Sequence, residues 1–336
     1  MDAKLENLIH QIEEKYKLAG QDMTAYLEGL LHSDYVPYWD YIHLDTLLTL
    51  QKPKTHFPDE MIFIMYHQVT ELYFKMIIHE LEQISQLTII DESSSSESIK
   101  PETNSLNLTF FIERLGRINR YFTILVDSFN VMTEGMEHQQ FMKYRMALLP
   151  ASGFQSAQYR IIEIYSTDLY NLVDKDFRAN YTLQSNLEEM YSKIYWRAGA
   201  TVESTGEKTL TLKQFEEKYD HDLLKFAHLN KTKNLWQLYL KFDLKDKNNP
   251  ELIKQLKNLD TNVNVNWPLA HYRTAVKYLA KDSDGVPATG GTNWQKYLPA
   301  RHQKRVFYPS LWTEDELANW GKSWVIEAIK PYQTNH

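Results

Sequence analysis

Four stretches of the chain carry side chains that could do chemistry. In "FIMYHQVTEL" (63–72), an imidazole and an amide, His67 and Gln68, interrupt an apolar run. Burying either one costs free energy unless it finds a partner. On a helix, Phe63 lies one turn before His67 and Glu71 one turn after it. An aromatic plate beside an imidazole would form one wall of a pocket. His67 and Glu71 could instead contribute to a metal site. The plain alternative is a core histidine hydrogen-bonded to a neighbour, and periodicity alone favours it.

The other three stretches are polar groups set among apolar or small residues. In "FMKYRMALLPASGFQS" (141–156), Arg145 stands among apolar residues just before a Ser-Gly turn. Its stem could cover apolar surface while its head reaches water. A buried guanidinium could instead grip a carboxylate through two hydrogen bonds. "ATGGTNW" (288–294) offers backbone N–H groups and the Thr289 hydroxyl to an anion, or is a surface loop. It lacks the Lys-Ser/Thr of a phosphate-binding loop. "WPLAHYRTAVKYL" (267–279) carries His271 with Ala270 and Ala275 nearby. Small neighbours leave space beside the imidazole, as a haem iron held by one neutral His requires. Taken alone, this too reads as a core histidine.

Several chemistries lack their residues. A di-iron carboxylate bundle needs Glu-x-x-His motifs, and the closest spacing is Asp40 to His43. The His-Glu-x-x-His of zinc proteases is missing. The chain has no cysteine, which removes disulfides, thiolate sites, thiol nucleophiles and covalently attached haem. That composition fits a reducing cytoplasm. The net charge of −7 disfavours a general nucleic-acid binder. No apolar run approaches the ~18 residues that span a membrane. The N-terminal "MDAKLENLIHQIEEKYKLAG" is amphipathic and acidic, without a signal-peptide core.

Positioning such residues falls to helices. The 336 residues are 43% hydrophobic, with only 11 Gly and 11 Pro, enough for a substantial core with few turn signals. Leu5, Leu8, Ile9, Ile12 and Tyr16 recur at helical spacing and predict a first helix. A short helix is expected over 41–50. A long one should start at Pro58, with Asp59 and Glu60 facing the helix dipole, and run to about Ile90. Next come a polar loop over 91–105, a helix from about Leu106 to Met132, and a turn over 150–160. A break is expected at 204–209. Helices separated by 243–251 fill about 211–260, and further helices are expected near 267–281 and over 313–329, the last capped by Thr313. The fold class is all-α, helix packed on helix.

In order, "YIHLDTLLTLQ", "PDEMIFIMYHQVTELYFKMIIHEL", "FMKYRMALLPASGFQSAQYR", "WPLAH" and "ATGGTNW" resemble the tryptophan 2,3-dioxygenase family. The likeness runs from about Tyr38 to Tyr297 and is densest up to Arg160 and from Trp267 onward. It implies a multi-helix bundle enclosing a b-type haem, of the tryptophan/indoleamine 2,3-dioxygenase type. It also implies a homotetramer, a dimer of dimers, in the cytoplasm. The implied reaction opens the indole ring of L-tryptophan with O₂ to give N-formyl-L-kynurenine, the first step of tryptophan catabolism by the kynurenine route. By motif position, His271 would be the proximal iron ligand and His67 the distal, catalytic histidine facing the indole N–H. Phe63 and Phe141 would pack on the indole, Arg145 would pair with the substrate carboxylate, and Thr289 would contact its carboxylate and ammonium. Ser152 and Gly153 would lie against the haem. Tyr38 and Tyr41 would belong to a pocket wall lent by a neighbouring subunit. Residues 1–336 would then be one domain, with 1–45 as a helical arm that contacts that neighbour.

Departures from the family pattern mark this chain. Pro58 stands where His is usual, Pro268 where Arg is usual before the proximal histidine, Tyr73 for a Trp, and Ala288 for a Gly. The segment from His271 to Thr289 is lengthened. These changes leave two alternatives: insertion of a single oxygen into a tryptophan derivative, or a non-enzymatic helical protein that binds haem or tryptophan.

Overall fold

A computed structural model describes residues 2–93, 107–202, 205–279 and 303–321, with side chains to Ser85 in the first long helix. The chain divides into two compact units, Met1–Lys52 and Pro53–His336.

In the first unit, α1 (Ala3–Leu18) and α2 (Met23–Leu31) start on aspartates. The Asp2 and Asp22 carboxylates accept from the backbone N–H of Lys4 and Thr24, satisfying donors left open at a helix start. Lys15 and Lys17 sit in the last turn of α1, where cations suit the dipole. The expected first helix therefore forms, but neither helix contains a buried residue. The helix expected over 41–50 does not form as one piece. Single turns at Tyr38–Tyr41 and Leu44–Leu47 flank His43, whose φ of +51° is left-handed and cannot continue a right-handed helix.

The second unit is built on α3 (Pro58–Ser93) and α4 (Leu108–Ser128). Phe111, Leu115, Ile118, Phe122 and Leu125 of α4 recur every three or four residues and are buried with Phe74, Ile77, Leu81 and Ile84 of α3. Asn107 caps α4, accepting from Phe110 N–H at 3.0 Å. The helix ends at Ser128 rather than Met132. Ser128 Oγ donates to the Leu125 carbonyl, and the chain restarts as a turn over Asn130–Thr133. The α3 start is as expected, and its acids do more than face the dipole. Asp59 accepts from Glu137 N–H, and Glu60 accepts from Lys54 N–H and Thr55 N–H. Burial pushes the Glu60 carboxyl up, but those bonds outweigh it and hold the group below its ordinary value.

α5 (His138–Tyr144), α6 (Ala157–Ser166) and α7 (Leu210–Asn230) follow, with α8 (Pro250–Thr261) and α9 (Trp267–Leu279). α8 and α9 are one continuous helical path, joined by a π-helical turn over Asn262–Asn266. A wide turn inserts a residue and loosens backbone bonding. Here side chains compensate. The Val263 carbonyl accepts from the Tyr159 hydroxyl at 2.8 Å, and Asn262 donates to Asn119 Oδ1 at 3.1 Å.

The segment 303–321 is fastened to α8 by buried Asp260, which accepts from Phe307 N–H, Tyr308 N–H and Trp312 Nε1–H. Thr313 does cap a helix, of which Glu314–Ala318 is described. Residues 94–106, 203–204, 280–302 and 322–336 lie outside the described residues. So do most of the expected 91–105 loop, the whole "ATGGTNW" stretch and the end of the C-terminal helix. Among the described residues the fold is helical, with only two isolated β-bridges, and no helix is long and apolar enough to cross a membrane.

Candidate active site

Within the second unit, α3 and α9 line a cavity of about 310 Å³. The α3 wall presents Phe63, Tyr66, His67, Thr70, Glu71 and Phe74; the α9 wall presents Trp267, Pro268, His271, Thr274, Ala275 and Tyr278. The 3.6-residue period puts His67 on the same face as Phe63, Thr70 and Glu71. Two imidazoles from helices far apart in sequence thus line one chamber.

His67 Nδ1 lies 2.8 Å from the Phe63 carbonyl oxygen. A carbonyl only accepts, so Nδ1 carries the proton. Burial lowers the pKa of His67, while the Phe63 carbonyl and the Glu71 carboxylate pull the other way. The ring is therefore neutral, and Nε2 keeps its lone pair. Phe63 lies against it with ring centroids 4.1 Å apart, and Phe141 and Tyr144 back Phe63 at 6.4 and 6.1 Å. The His67–Glu71 metal pair does not form: Glu71 accepts from Gln158 Nε2 at 2.8 Å. No group of three or more metal-ligating side chains comes together among the described residues. Gln68 has a partner of its own.

His271 carries accessible surface but lies deep in the protein, because that surface faces the cavity. Burial, reinforced by His67, lowers its pKa to about 4. The ring is neutral, stacked on Phe129 at 5.9 Å, and neither nitrogen is hydrogen-bonded among the described residues. Of its two small neighbours, Ala275 lines the cavity and Ala270 packs into the core.

The other expected residues divide. Phe141, Ser152 and Gly153 line the cavity. Ser152 caps the 3₁₀ turn Gly153–Gln155, accepting from Phe154 N–H. A Cβ on Gly153 would meet nothing within 4 Å, so the backbone borders open space. Arg145 is buried in the 3₁₀ turn Arg145–Leu148, with Nη1 4.0 Å from Met142 Sδ, and is not a lining residue. Its neighbours in sequence Phe141 and Leu148 are. Tyr38 and Tyr41 are exposed on the first unit, and Thr289 lies outside the described residues.

Sequence reasoning missed a charged cluster at the same cavity. Arg160, Tyr195 and Arg305 line it, and all three hydrogen-bond to Glu163 behind them. The available signal was Arg160 and Glu163 three residues apart on an apolar helix.

These features fit a haem. There is a neutral, unbonded imidazole facing an aromatic chamber, and a glycine edge with room beside it. A group bound there would take its one protein ligand from His271.

A family model described as "Tryptophan 2,3-dioxygenase" matches residues 29–266. The match includes His67 and Arg145 and stops before His271 and Thr289. A protein named tryptophan 2,3-dioxygenase from Bacillus thuringiensis subsp. konkukian (strain 97-27) is 27% identical over 304 residues, 85% of this chain and 95% of its own. One of that name from Dictyostelium discoideum is 39% identical over 133 residues, 38% of this chain and 30% of its own. Another from Ruegeria sp. (strain TM1040) is 36% identical over 131 residues, 39% and 41% of the two chains.

Proposed function

The chain belongs to the tryptophan 2,3-dioxygenase family, and from that premise we propose that it opens the indole ring of L-tryptophan with O₂, giving N-formyl-L-kynurenine. The indole C2–C3 bond breaks, and each carbon keeps one oxygen atom. The observation that carries this reading is the pair of neutral imidazoles, from two different helices, that line one aromatic cavity.

Bound to His271, b-type haem would supply the activation of O₂ that no side chain offers. The protein's residues do the rest. Nδ1 of His67 is tied to the Phe63 carbonyl, so Nε2 is held as an acceptor for the indole N–H. Phe63 and Phe141 give the ring an apolar berth. Ser152 and Gly153 line the cavity, and the open space beside Gly153 would leave room for a bound haem. Arg145 and Thr289 would hold the carboxylate and ammonium of the zwitterion. Fixing the indole against the oxygen-binding face would be the main contribution to rate.

The reading extends to assembly and location. Residues 1–45 would be an arm that brings Tyr38 and Tyr41 to a neighbouring subunit of a homotetramer, within a single functional domain. The lack of cysteine suits the cytoplasm.

The test is product mass. Under reducing, aerobic conditions with haem, L-tryptophan should gain two oxygen atoms. A gain of one would mean single-oxygen insertion, for which the departures at Pro58 and Pro268 leave room. Tight tryptophan binding with no oxygen consumed would mean a binding protein.

A further inference from the structure

The mechanism leaves one set of buried charges at the cavity unused. Arg160, Arg305 and Glu163 have relative exposures of 7%, 5% and 1%. Glu163 Oε1 accepts from the Tyr195 hydroxyl at 2.6 Å and from Arg305, and Oε2 accepts from Arg160 at 3.2 Å. Tyr195 in turn accepts from Arg160 at 2.8 Å and from Arg305. Burial holds the Tyr195 phenol well above its ordinary pKa, so it stays neutral. The cluster therefore carries two cations against one carboxylate.

An unbalanced buried charge is costly. Ring faces soften it: Arg160 lies over Phe154 and Trp196, and Arg305 lies over Tyr195 at 4.0 Å. They do not cancel a unit charge. The Nε–H groups of both arginines are buried without a partner among the described residues. Another carboxylate on the cavity wall, Glu71, is engaged by Gln158. The surplus thus faces the chamber, and it comes from residues other than Arg145, the expected partner of the amino acid.

We propose that Arg160 and Arg305 form a carboxylate-binding end of this cavity, with Glu163 and Tyr195 holding the two guanidinium groups in place. The carboxylate would come from the haem periphery or from the substrate. The inference rests on the haem and tryptophan reading above.

Binding of haem and of haem dimethyl ester, followed by Soret titration, separates the sources when set beside binding of L-tryptophan and tryptamine by calorimetry. The full-length wild type, Arg305→Gln and Glu163→Gln are compared. If the carboxylate is haem's, the wild type prefers the free acid by roughly 30-fold or more. Arg305→Gln should erase most of that preference, and Glu163→Gln should widen it, because a competing carboxylate is gone. The same pattern between tryptophan and tryptamine would assign the carboxylate to the substrate. A purely structural ion cluster would not give opposite signs in the two variants. Unchanged discrimination in both pairs, in folded Arg305→Gln, overturns the proposal. If that variant fails to fold, Arg160→Gln, which removes the other cation of the cluster, serves in its place with the same criterion. A wild type that binds no haem defeats the functional reading instead, and the tryptophan and tryptamine pair then decides this one.

Discussion

α1 and α4 are both amphipathic, yet they end in opposite states. In α4 the apolar stripe from Phe111 to Leu125 is buried against α3. In α1 the stripe of Leu5, Leu8 and Ile12 is exposed, and nothing in either α1 or α2 is buried. Helical periodicity carries only part of this outcome. It gives the face a helix will bury, but not the surface that face meets. An apolar face with nothing to bury against within its own unit is a face awaiting a partner. The α4 stripe found its partner within the unit that also carries the cavity.

The sharpest way to break that comparison is to truncate one leucine from each stripe. Leu115→Ala in α4 should lower unfolding free energy by about 2–5 kcal/mol, as large-to-small changes in packed cores do. Denaturant titration of the full chain would read it, and a loss of less than about 1 kcal/mol would remove α4 from the load-carrying core.

A smaller effect should come from Asp260, which fastens 303–321 to α8. Burial pushes its carboxyl up to about 6 despite the N–H groups it accepts from. A folded-state pKa above the unfolded value means that the folded protein holds the proton more tightly. The stabilisation from that proton is full below about pH 4 and is lost as pH rises through about 6, amounting to about 3 kcal/mol. Relative to Asp260→Asn, the wild type should therefore lose stability between pH 4 and 6. A flat difference across that window would contradict the assignment.

The smallest expected change is Leu8→Ala in α1. Within one subunit it should stay within about 0.5 kcal/mol, because no core is disturbed. Its effect should appear in sedimentation as weaker assembly. A core-sized loss of stability without any change in oligomeric mass would erase the contrast with α4.

What could be read in advance follows the same division. Phe63 and His67 were legible because one helix turn relates them and no tertiary knowledge is needed. Small neighbours alone left His271 as a core histidine; the structure puts it and Ala275 on the cavity and Ala270 in the core. The split at His43 was hidden, because left-handed backbone is uncommon outside glycine and histidine's enrichment there gives only a weak warning. The continuity of α8 with α9 was hidden because a π-turn shifts the phase that periodic reading relies on, and Asn119 and Tyr159 from other helices help to hold it. Arg160 and Arg305 come from distant segments, so their convergence on Glu163 could not be seen in sequence. Arg145 is buried, which its sequence leaves open, because a stem over apolar surface with its head in water has the same pattern.

We propose a division of labour between the two imidazoles. Haem titration of the wild type, His271→Ala and His67→Ala, followed by absorbance from 350 to 650 nm, tests it most directly. The account predicts a Soret band in the wild type and in His67→Ala, the latter with a rate lowered by roughly 100-fold or more, and none of comparable affinity in His271→Ala. Unchanged haem binding in His271→Ala, or loss of haem in a folded His67→Ala, would contradict it.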